Sequence, residues 1–498
     1  MRGIYKACTL ISLLVAAVAY AQPEGRPKHP PKGHVSAQVW GGGEAGGYRQ
    51  GFAAESLWKV GASASGSLRT QRTLFKGSFG YSEEHGKNML TSMFIEPGYF
   101  PVDVLEFTPG NKVRQTYDLS GLFETRLAQN LYGGGKAVYR AANYAKLKDI
   151  RHTTYGMSLL VEPSLGYRSD NVSASARLIY RKKQETIDAE QVGSATGESY
   201  FAFLDKGLRY GTYQVWDGDG VHLDEAGVGV FPVGEKAYGG GVSLSLGGDL
   251  SVNPTFQFDV QALATDGKVG EKGYLWFLFP GYEVAAVLSG SHLLGFSSGR
   301  WKVAMTAKAD RLDEAVLEKV TTGGVTVPEI YGYNTVSDRA VEKLSAEYAL
   351  SFISWFKSVG VKADVMTRQE RSFLMYPYSY GANTVVYGVA LSSEMLLGPV
   401  GVKASFNGGA GRIVERQISA PEGDEILTQP FRLQKDWDRK SEFMTAPHIG
   451  ASVSLKWFIP SVKGLGLIAD AFWRHGFNIT VLPGKDRAGA TAGLSYEF

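Results

Sequence analysis

Apolar and polar residues alternate along much of this chain, most regularly at its carboxyl-terminal end. From Ala488 to Phe498 every second residue is Ala, Leu, Tyr or Phe, and the residues between them are Gly, Thr, Ser or Glu. A period of two predicts a β-strand with one apolar and one polar face. A tilted strand needs ~9–11 residues to cross a bilayer, so this segment is long enough to span one.

The same alternation recurs in earlier segments. One face carries Ala, Val and Leu with Trp or Tyr near the segment ends, and the other carries Ser, Gly and charged residues. Small apolar residues bounded by aromatics are typical of a lipid-facing wall with interfacial girdles, whereas a sandwich core uses larger branched residues. The clearest of these segments are 172–180, 301–310, 344–352, 359–365, 449–457 and 465–474.

The connections between predicted strands alternate in length. Short ones lie at 128–131, 168–171, 250–253, 354–357, 395–397 and 459–463, and longer ones at 83–113, 185–236, 310–341, 411–445 and 475–487. Short turns at one end and longer loops at the other are typical of outer-membrane barrels. We therefore predict an all-β, antiparallel transmembrane β-barrel of the bacterial outer membrane with about 16–18 strands, and about 14 as the lower limit. About seventeen strands are clear, so an even number requires either one more, at 35–42, or one fewer.

The amino-terminal residues resemble a secretory signal peptide. Arg2 and Lys6 precede a short apolar stretch, and Ala19-Tyr20-Ala21 provides a cleavage site before Gln22. We therefore expect a signal peptide at 1–21, a Pro-rich periplasmic tail at 22–34 and the barrel at 35–498. Cleavage between Ala21 and Gln22 would remove Cys8, the only cysteine. Secretory export would deliver the protein to the cell outer membrane.

Two interpretations of segment 43–55 remain open. Its glycines and polar residues make it a poor lipid-facing strand, so it could fold into the lumen as a small plug. It could equally be an ordinary outer loop that joins segment 35–42 to the next strand.

Two runs in the first third resemble one particular family. They are FIEPGYFPVDVLEF at 94–107 and AANYAKLKDIRH at 141–152. The chain resembles a family of outer-membrane β-barrels of unknown function that is typical of Bacteroidota. This resemblance implies the fold and the Gram-negative outer membrane, and it assigns no catalytic residue. It also implies that Leu494, Tyr496 and Phe498 belong to the carboxyl-terminal signal read by the barrel-assembly machinery.

Charge and composition restrict the partners. The formal net charge is +3, so no strong field is available to attract nucleic acid. We expect outer-membrane lipid and lipopolysaccharide, the barrel-assembly machinery and other outer-membrane proteins as partners. No seryl motif accompanies the histidines, so we predict neither an enzyme nor a cofactor.

The polar faces carry the candidate chemistry. A set of charged residues should point into the lumen and could contact a solute: Arg177, Arg181, Lys302, Lys308, Asp310, Lys362, Asp364, Arg368, Lys456, Asp470, Arg474 and Glu497. Asp217, Asp219, Asp224 and Glu225 form a weak cation-binding candidate, because alternate carboxylates can wrap Ca²⁺. A plain hairpin is the commoner outcome for Asp-Gly pairs.

Two functions from different classes remain open. The chain could be a porin-like pore or transporter for small polar or anionic solutes, since cations outnumber anions in that lumen set. It could instead be a structural or assembly partner in an outer-membrane complex. An open, wet lumen would favour transport, whereas a lumen blocked by the amino-terminal segment and by loops 83–113 and 185–236 would favour a closed or gated protein.

Deleting Phe498, or replacing it with Lys, should lower the amount of folded barrel in the membrane. The reason is that this aromatic residue completes the proposed assembly signal and anchors the last strand at the interface. Heat-modifiable mobility of the membrane fraction measures the folded amount. Insertion at the wild-type level after deletion would show that assembly does not depend on this residue.

Overall fold

The computed structural model describes residues 32–147, 150–191, 202–207, 213–216, 230–247, 255–271, 274–295, 297–322, 325–352, 354–373, 379–419 and 431–497. The predicted signal peptide, most of the Pro-rich tail and Phe498 lie outside these ranges. So do Asp217, Asp219, Asp224 and Glu225, the weak cation-binding candidate.

Within the described residues the chain forms twenty strands and one helix, α1. The strands are β1 Lys32–Gly46, β2 Ser56–Arg69, β3 Thr73–Ser92, β4 Asp103–Arg126, β5 Leu131–Lys146, β6 Ile150–Arg168, β7 Val172–Gln191, β8 Ala202–Asp205, β9 Tyr213–Trp216, β10 Val230–Leu246, β11 Thr255–Glu271, β12 Tyr274–Leu294, β13 Ser297–Thr322, β14 Val325–Phe352, β15 Phe356–Phe373, β16 Ser379–Leu397, β17 Val400–Ser419, β18 His448–Phe458, β19 Leu465–Gly476 and β20 Asp486–Glu497. Helix α1 is Phe431–Thr445. No helix among the described residues is long and apolar enough to cross a membrane.

Eighteen of the strands form a closed antiparallel barrel. Each pairs with its neighbour in sequence, except that β7 pairs directly with β10. Strand β1 pairs with β2 on one side and with β20 on the other, which closes the wall. The predicted class and strand range are therefore confirmed. Strands β8 and β9 form a separate hairpin that pairs with β4.

Strand β1 is longer than predicted. It begins at Lys32, inside the predicted tail, and continues to Gly46, so residues 43–46 belong to the wall and the predicted plug at 43–55 is wrong there. Glycine permits this, because a Cβ at Gly42 would lie 2.2 Å from the carbonyl oxygen of Ala490 in β20. Residues 47–55 form the loop between β1 and β2, as in the alternative interpretation, and Tyr48 is buried in it.

The two ends of the barrel differ. The terminal end, which carries the start of β1 and the end of β20, has short turns such as 70–72, 169–171 and 398–399. The opposite loop end has the longer connections, in agreement with the predicted asymmetry. Two predicted long loops are mostly strand, however. Strands β3 and β4 fill much of 83–113, and β13 and β14 form an arm that continues to Thr322 and Val325.

The two faces of the wall follow the alternation in the sequence. Leu178 is 70% exposed and Leu344 is 51% exposed, and both lie on the predicted lipid face. Tyr180 and Tyr238 are directly opposed on this face, with ring centroids 5.3 Å apart, as in an aromatic girdle. Serine and charged residues occupy the other face, which is the lumen.

The main hydrophobic core lies inside the lumen, towards the loop end. Its members come from the 93–102 connection and from the inward faces of β4, β7, β8 and β10 to β13. They are Met93, Phe94, Phe100, Val102, Val104, Ile187, Ala189, Leu204, Phe231, Val233, Val269, Trp276, Phe277, Phe279 and Leu312. A barrel of this size would otherwise enclose water, so these residues fill space that the wall cannot fill alone.

Replacing Leu344 with Arg should destabilise the barrel by ~2–4 kcal/mol, because its side chain faces lipid about halfway along the spanning part of β14. The adjacent Ser345→Arg is the matched control, since it places the same group on the lumen face. Denaturant unfolding of both variants in lipid bilayers measures the difference. Equal destabilisation would mean that the two faces are assigned wrongly.

Candidate functional site: a loop across the lumen

The connection between β3 and β4 folds into the barrel, and we call residues 93–102 the inward loop. It is built around a turn at Glu96-Pro97-Gly98-Tyr99, in which the Tyr99 N–H donates to the Glu96 carbonyl at 3.2 Å. Gly98 has φ of 79°, a conformation that favours glycine, and the ring of Pro97 fixes its own φ at the position before Gly98. The Pro-Gly pair therefore sets the turn that directs the loop inward.

Buried polar contacts anchor the root of the inward loop. The Ser92 hydroxyl donates to Asp103 at 2.6 Å, and the Met93 N–H donates to the Val104 carbonyl at 2.8 Å. Nearby, the Glu106 carboxylate lies 3.0 Å from the Lys112 ammonium and 2.7 Å from that of Lys146, with all three side chains fully buried. Separating one partner from such a cluster would leave an uncompensated buried charge. This cost keeps the root of the loop in place.

The loop reaches the opposite side of the barrel. The loop connects β3 to β4, but its tip contacts Arg339 on β14. Along the wall, seven strands (β5, β6, β7 and β10 to β13) separate β4 from β14 in one direction, and nine (β15 to β20 and β1 to β3) separate them in the other. The inward loop therefore crosses the lumen close to a diameter.

Arg339 binds the tip of the loop through its main chain. Its guanidinium donates to the carbonyls of Gly98 at 2.8 Å and Phe100 at 3.1 Å, and also to that of Tyr99. The same group forms a bidentate pair with Asp310 on β13, at 2.6 and 2.8 Å. Arg339 thus connects the loop tip to a buried carboxylate of the wall. Such charge-assisted hydrogen bonds are stronger than hydrogen bonds between neutral groups.

A second set of contacts comes from β7. The Glu185 carboxylate accepts a hydrogen bond from the Ile95 N–H at 2.7 Å, and the Lys183 ammonium pairs with Glu96. Thr154 on the neighbouring β6 donates its hydroxyl to the Met93 carbonyl at 2.7 Å. The loop is therefore held by β6 and β7 as well as by β14.

Tyr99 lies at the centre of a charged network. Its hydroxyl donates to Glu235 at 2.5 Å, and its ring faces the ammonium groups of Lys183 and Lys308 at 3.4 and 4.2 Å from the centroid. Arg181 also pairs with Glu235, at 3.0 Å. Burial, together with the Glu235 carboxylate, raises the pKa of the Tyr99 phenol, so the group stays protonated and remains a donor.

Aromatic packing fills part of the lumen beside this network. Phe94 and Phe100 of the loop contact each other at 5.6 Å between ring centroids. Phe94 also packs on Phe231 of β10, and Phe100 packs on Phe279 of β12. All four rings are almost fully buried. Close packing of this kind leaves little room for water on that side of the loop.

Helix α1 covers another part of the loop end. It lies on the inward faces of β16 and β17, where Trp437 packs edge-on against Tyr380 with ring centroids 5.7 Å apart. Lys440 pairs with Glu370 of β15 at 3.4 Å. Between α1, the inward loop, β8, β14 and β15 remains a polar cavity of about 40 Å³, enough for roughly three water molecules.

Glu442 joins α1 to the connection between β19 and β20. Its carboxylate accepts hydrogen bonds from the Thr480 hydroxyl at 2.7 Å and from the N–H groups of Thr480, Val481 and Leu482 at 2.6, 2.8 and 2.6 Å. Partial burial opposes the charge, but these donors outweigh it and lower the pKa of the Glu442 carboxyl. The helix is thereby fastened across the loop end.

The predicted lumen residues fall into three groups. Arg181, Lys308 and Asp310 join the network around the inward loop. Four others form three separate ion pairs: Arg177 with Asp259, Arg368 with Glu370, and Lys456 with Glu497. Lys302, Lys362, Asp364 and Asp470 are exposed, and Arg474 is half-buried. Their contact with a solute stays a prediction.

Sequence reasoning missed several residues of the site. They are Lys183, Glu185, Glu235, Glu283, Arg339 and Glu370. They lie on inward faces of strands that are longer than a membrane span requires. Glu185, Glu235 and Arg339 fell in the segments predicted as loops, 185–236 and 310–341, so their facing was not assigned. For Lys183 the signal was available, because it keeps the parity of Arg177 and Arg181.

The remaining predicted residues are placed as follows. Leu494 is exposed on the lipid face and Tyr496 is half-buried, while Ala21, Gln22 and Phe498 lie outside the described residues. Among residues that are described, no group of three His, Cys, Asp or Glu side chains could hold a metal ion.

Comparison with known proteins gives one family and several distant structures. Residues 25–498 match the model described as a family of unknown function (DUF6850). No curated protein matches the sequence. Solved structures that resemble the chain include the Pseudomonas aeruginosa ferric enterobactin receptor PfeA, at 8% identity, 95% and 82% coverage of the two chains and a TM-score of 0.42.

Two further structures resemble the chain to a similar degree. The copper transporter OprC has 8% identity, coverage of 96% and 82%, and a TM-score of 0.42. The RagAB peptide importer in its closed-closed state has 9% identity, coverage of 94% and 87%, and a TM-score of 0.42. These scores are too low to support an inference, so function has to be argued from the geometry of the lumen.

Replacing Glu442 with Gln should loosen α1. At neutral pH the amides of residues 480–482 should exchange about fivefold faster than in the wild type, equivalent to ~1 kcal/mol once charge-assisted hydrogen bonds are discounted for solvent exposure. Hydrogen exchange, normalised to an unstructured peptide of the same sequence, measures this.

The pH dependence has a definite sign. Because the pKa of Glu442 is lowered in the folded protein, its contribution is present above the ordinary carboxyl range and is lost as pH falls through the lowered value. Wild-type exchange should therefore approach that of the variant only in acid. Asp438→Asn on the same helix is the control. If it loosened 480–482 equally, loss of helix charge, and not the Glu442 contacts, would be the cause.

Proposed function

The chain belongs to this family of unknown function, and we propose that it is a gated transporter of the outer membrane in a Gram-negative cell of the Bacteroidota type. The single observation that carries the proposal is the inward loop, which crosses the lumen near a diameter and is held by β6, β7 and β14. In this proposal the structure is the resting, closed state, and passage of a small polar solute requires the loop to leave its contacts.

The orientation follows from the ends of the barrel. Short turns of outer-membrane barrels lie in the periplasm and longer loops lie outside, so the terminal end would be periplasmic and the loop end extracellular. The inward loop, the β8–β9 hairpin and α1 would then close the extracellular side. A solute arriving from outside would meet the closure first.

The terminal half of the lumen supports passage. Hydroxyl pairs line its inward face, such as Ser78 with Ser120 at 2.7 Å and Ser175 with Ser243 at 2.6 Å. A hollow of about 450 Å³ lies against Ser65, Ser67, Ser78, Ser120, Lys76 and Lys136, among others. Ion pairs neutralise many of the predicted lumen cations, so we propose polar solutes in general, without a strong preference for anions.

Biogenesis would follow the usual route of such barrels. We propose secretory export with cleavage after Ala21, followed by insertion through the barrel-assembly machinery and contact with lipopolysaccharide at the outer leaflet. The exposed Leu494 on the last strand supports a lipid-facing assembly signal there.

A second candidate function rests on the arm formed by β13 and β14. In the described residues β12 pairs with β13 as far as Glu314, and β15 pairs with β14 as far as Ser337, so the hairpin projects beyond both neighbours. Val316, Leu317, Tyr331 and Tyr333 are exposed on it. Exposed apolar side chains on a projection favour contact with another outer-membrane protein. A photo-crosslinker at Tyr331 in native membranes tests this, and a barrel that stays uncrosslinked would argue against it.

Replacing Arg339 with Ala should raise the conductance of the refolded barrel in planar bilayers by about an order of magnitude. Loss of the guanidinium removes three hydrogen bonds to the loop tip and leaves the Asp310 carboxylate without its pair, which favours detachment of the loop. The wild type should show low conductance with rare openings.

The matched control is Arg177→Ala. Arg177 is also a lumen arginine with a bidentate carboxylate partner, Asp259, and no described hydrogen bond joins it to the inward loop. It should leave conductance near the wild-type level. A wild-type barrel that is already fully open, or an Arg339 variant that stays closed while folding normally, would refute the gate.

A further inference from the structure

We infer that the part of the lumen that holds the inward loop is a peptide-binding site, and that the loop occupies it as an internal ligand. The inference rests on the proposed function, because it names the chemical class that would displace the gate. The wall presents groups that recognise a peptide, and the loop satisfies them from within the same chain.

Side chains of the wall recognise the main chain of the loop. Thr154 donates to the Met93 carbonyl, Glu185 accepts from the Ile95 N–H, and Arg339 donates to three consecutive carbonyls from Gly98 to Phe100. Wall side chains therefore bind both donors and acceptors of a peptide backbone. Such contacts do not depend on the sequence bound, so another peptide could make them equally well.

The wall also matches the side chains of the loop. Lys183 pairs with the Glu96 carboxylate, and three residues later the Tyr99 ring lies over Lys183 and Lys308 while its hydroxyl reaches Glu235. Phe100 enters an apolar position formed by Phe279. The site therefore favours a peptide with a carboxylate three residues before an aromatic residue, followed by a second aromatic residue.

An empty site would be costly. If the loop left without replacement, Glu185 and Arg339 would lose hydrogen bonds in a buried setting, and each unsatisfied group would destabilise the open state. A peptide that offers the same groups would offset this cost, whereas a ligand without main-chain amides would not. Binding of a peptide and release of the loop are therefore coupled.

The test uses a variant of the full chain in which a Gly-Ser linker replaces residues 94–101. The probe is the synthetic peptide FIEPGYFP, blocked at both ends, which reproduces those residues. Calorimetric titration of the refolded variant should show saturable binding of one peptide per barrel. Adding Arg339→Ala to the linker variant should weaken binding at least tenfold, and so should a peptide that carries the Glu96→Gln and Tyr99→Leu changes.

Two controls define the ligand class. A scrambled peptide of the same composition keeps the charge and the aromatic rings but loses their spacing, and maltohexaose offers hydroxyl groups without amides. Both should bind at least tenfold more weakly than the probe. Absence of saturable probe binding, or equal binding of either control, overturns the inference.

A second variant covers failure of the linker chain to fold, which heat-modifiable mobility would reveal. Tyr99→Ala combined with Phe100→Ala keeps the loop but removes its aromatic anchors, and the same titration and criteria then apply. The readouts separate the two proposals. A linker variant that conducts but binds no peptide refutes only the peptide site, whereas one that binds the peptide but does not conduct refutes only the gate.

Discussion

Closure of the wall is the constraint on which the rest of the structure depends. Eighteen strands spaced ~4.8 Å apart and tilted by ~40° enclose a circle roughly 35 Å across, much wider than opposed side chains can fill. Such a barrel contains either water or additional chain. Here the loop end contains additional chain, with a hydrophobic core of its own inside the lumen.

Main chain inside a barrel brings in polar N–H and C=O groups that the wall has to satisfy. Each inserted peptide group needs a hydrogen-bond partner, and the inward loop makes few backbone contacts of its own beyond its turn and root. The wall supplies the partners as ionised side chains, chiefly Glu185 and Arg339. This explains why charged residues accumulate on the inward faces of β7 and β14 above the membrane span, where a simple pore would need none.

The sequence was sufficient to predict the wall but not its contents. Alternation such as that of 172–180 and 344–352 reports which face meets lipid, and it correctly predicted the barrel class, the faces and the asymmetry of the two ends. The interior is set by tertiary contacts between distant residues. Nothing local to Arg339 indicates that it meets Tyr99, and the outer parts of β13 and β14 (310–341) were predicted as a loop because they lack the regular lipid-facing pattern. The EPGY turn was visible, but its inward direction was not.

The seam between β1 and β20 has a consequence for folding. It pairs Ser36 with Glu497 and Gly46 with Arg487, residues about 450 positions apart in the chain. Loop-closure entropy makes such a contact among the last to form, so β1 must wait with an unpaired edge while the other strands assemble. Until the seam closes, that edge can pair with any exposed strand nearby, which is the physical basis of aggregation in such chains. We therefore expect the joining of the two ends of the wall to be the slow step of folding, and a factor that shields β1 during that interval would act as its chaperone.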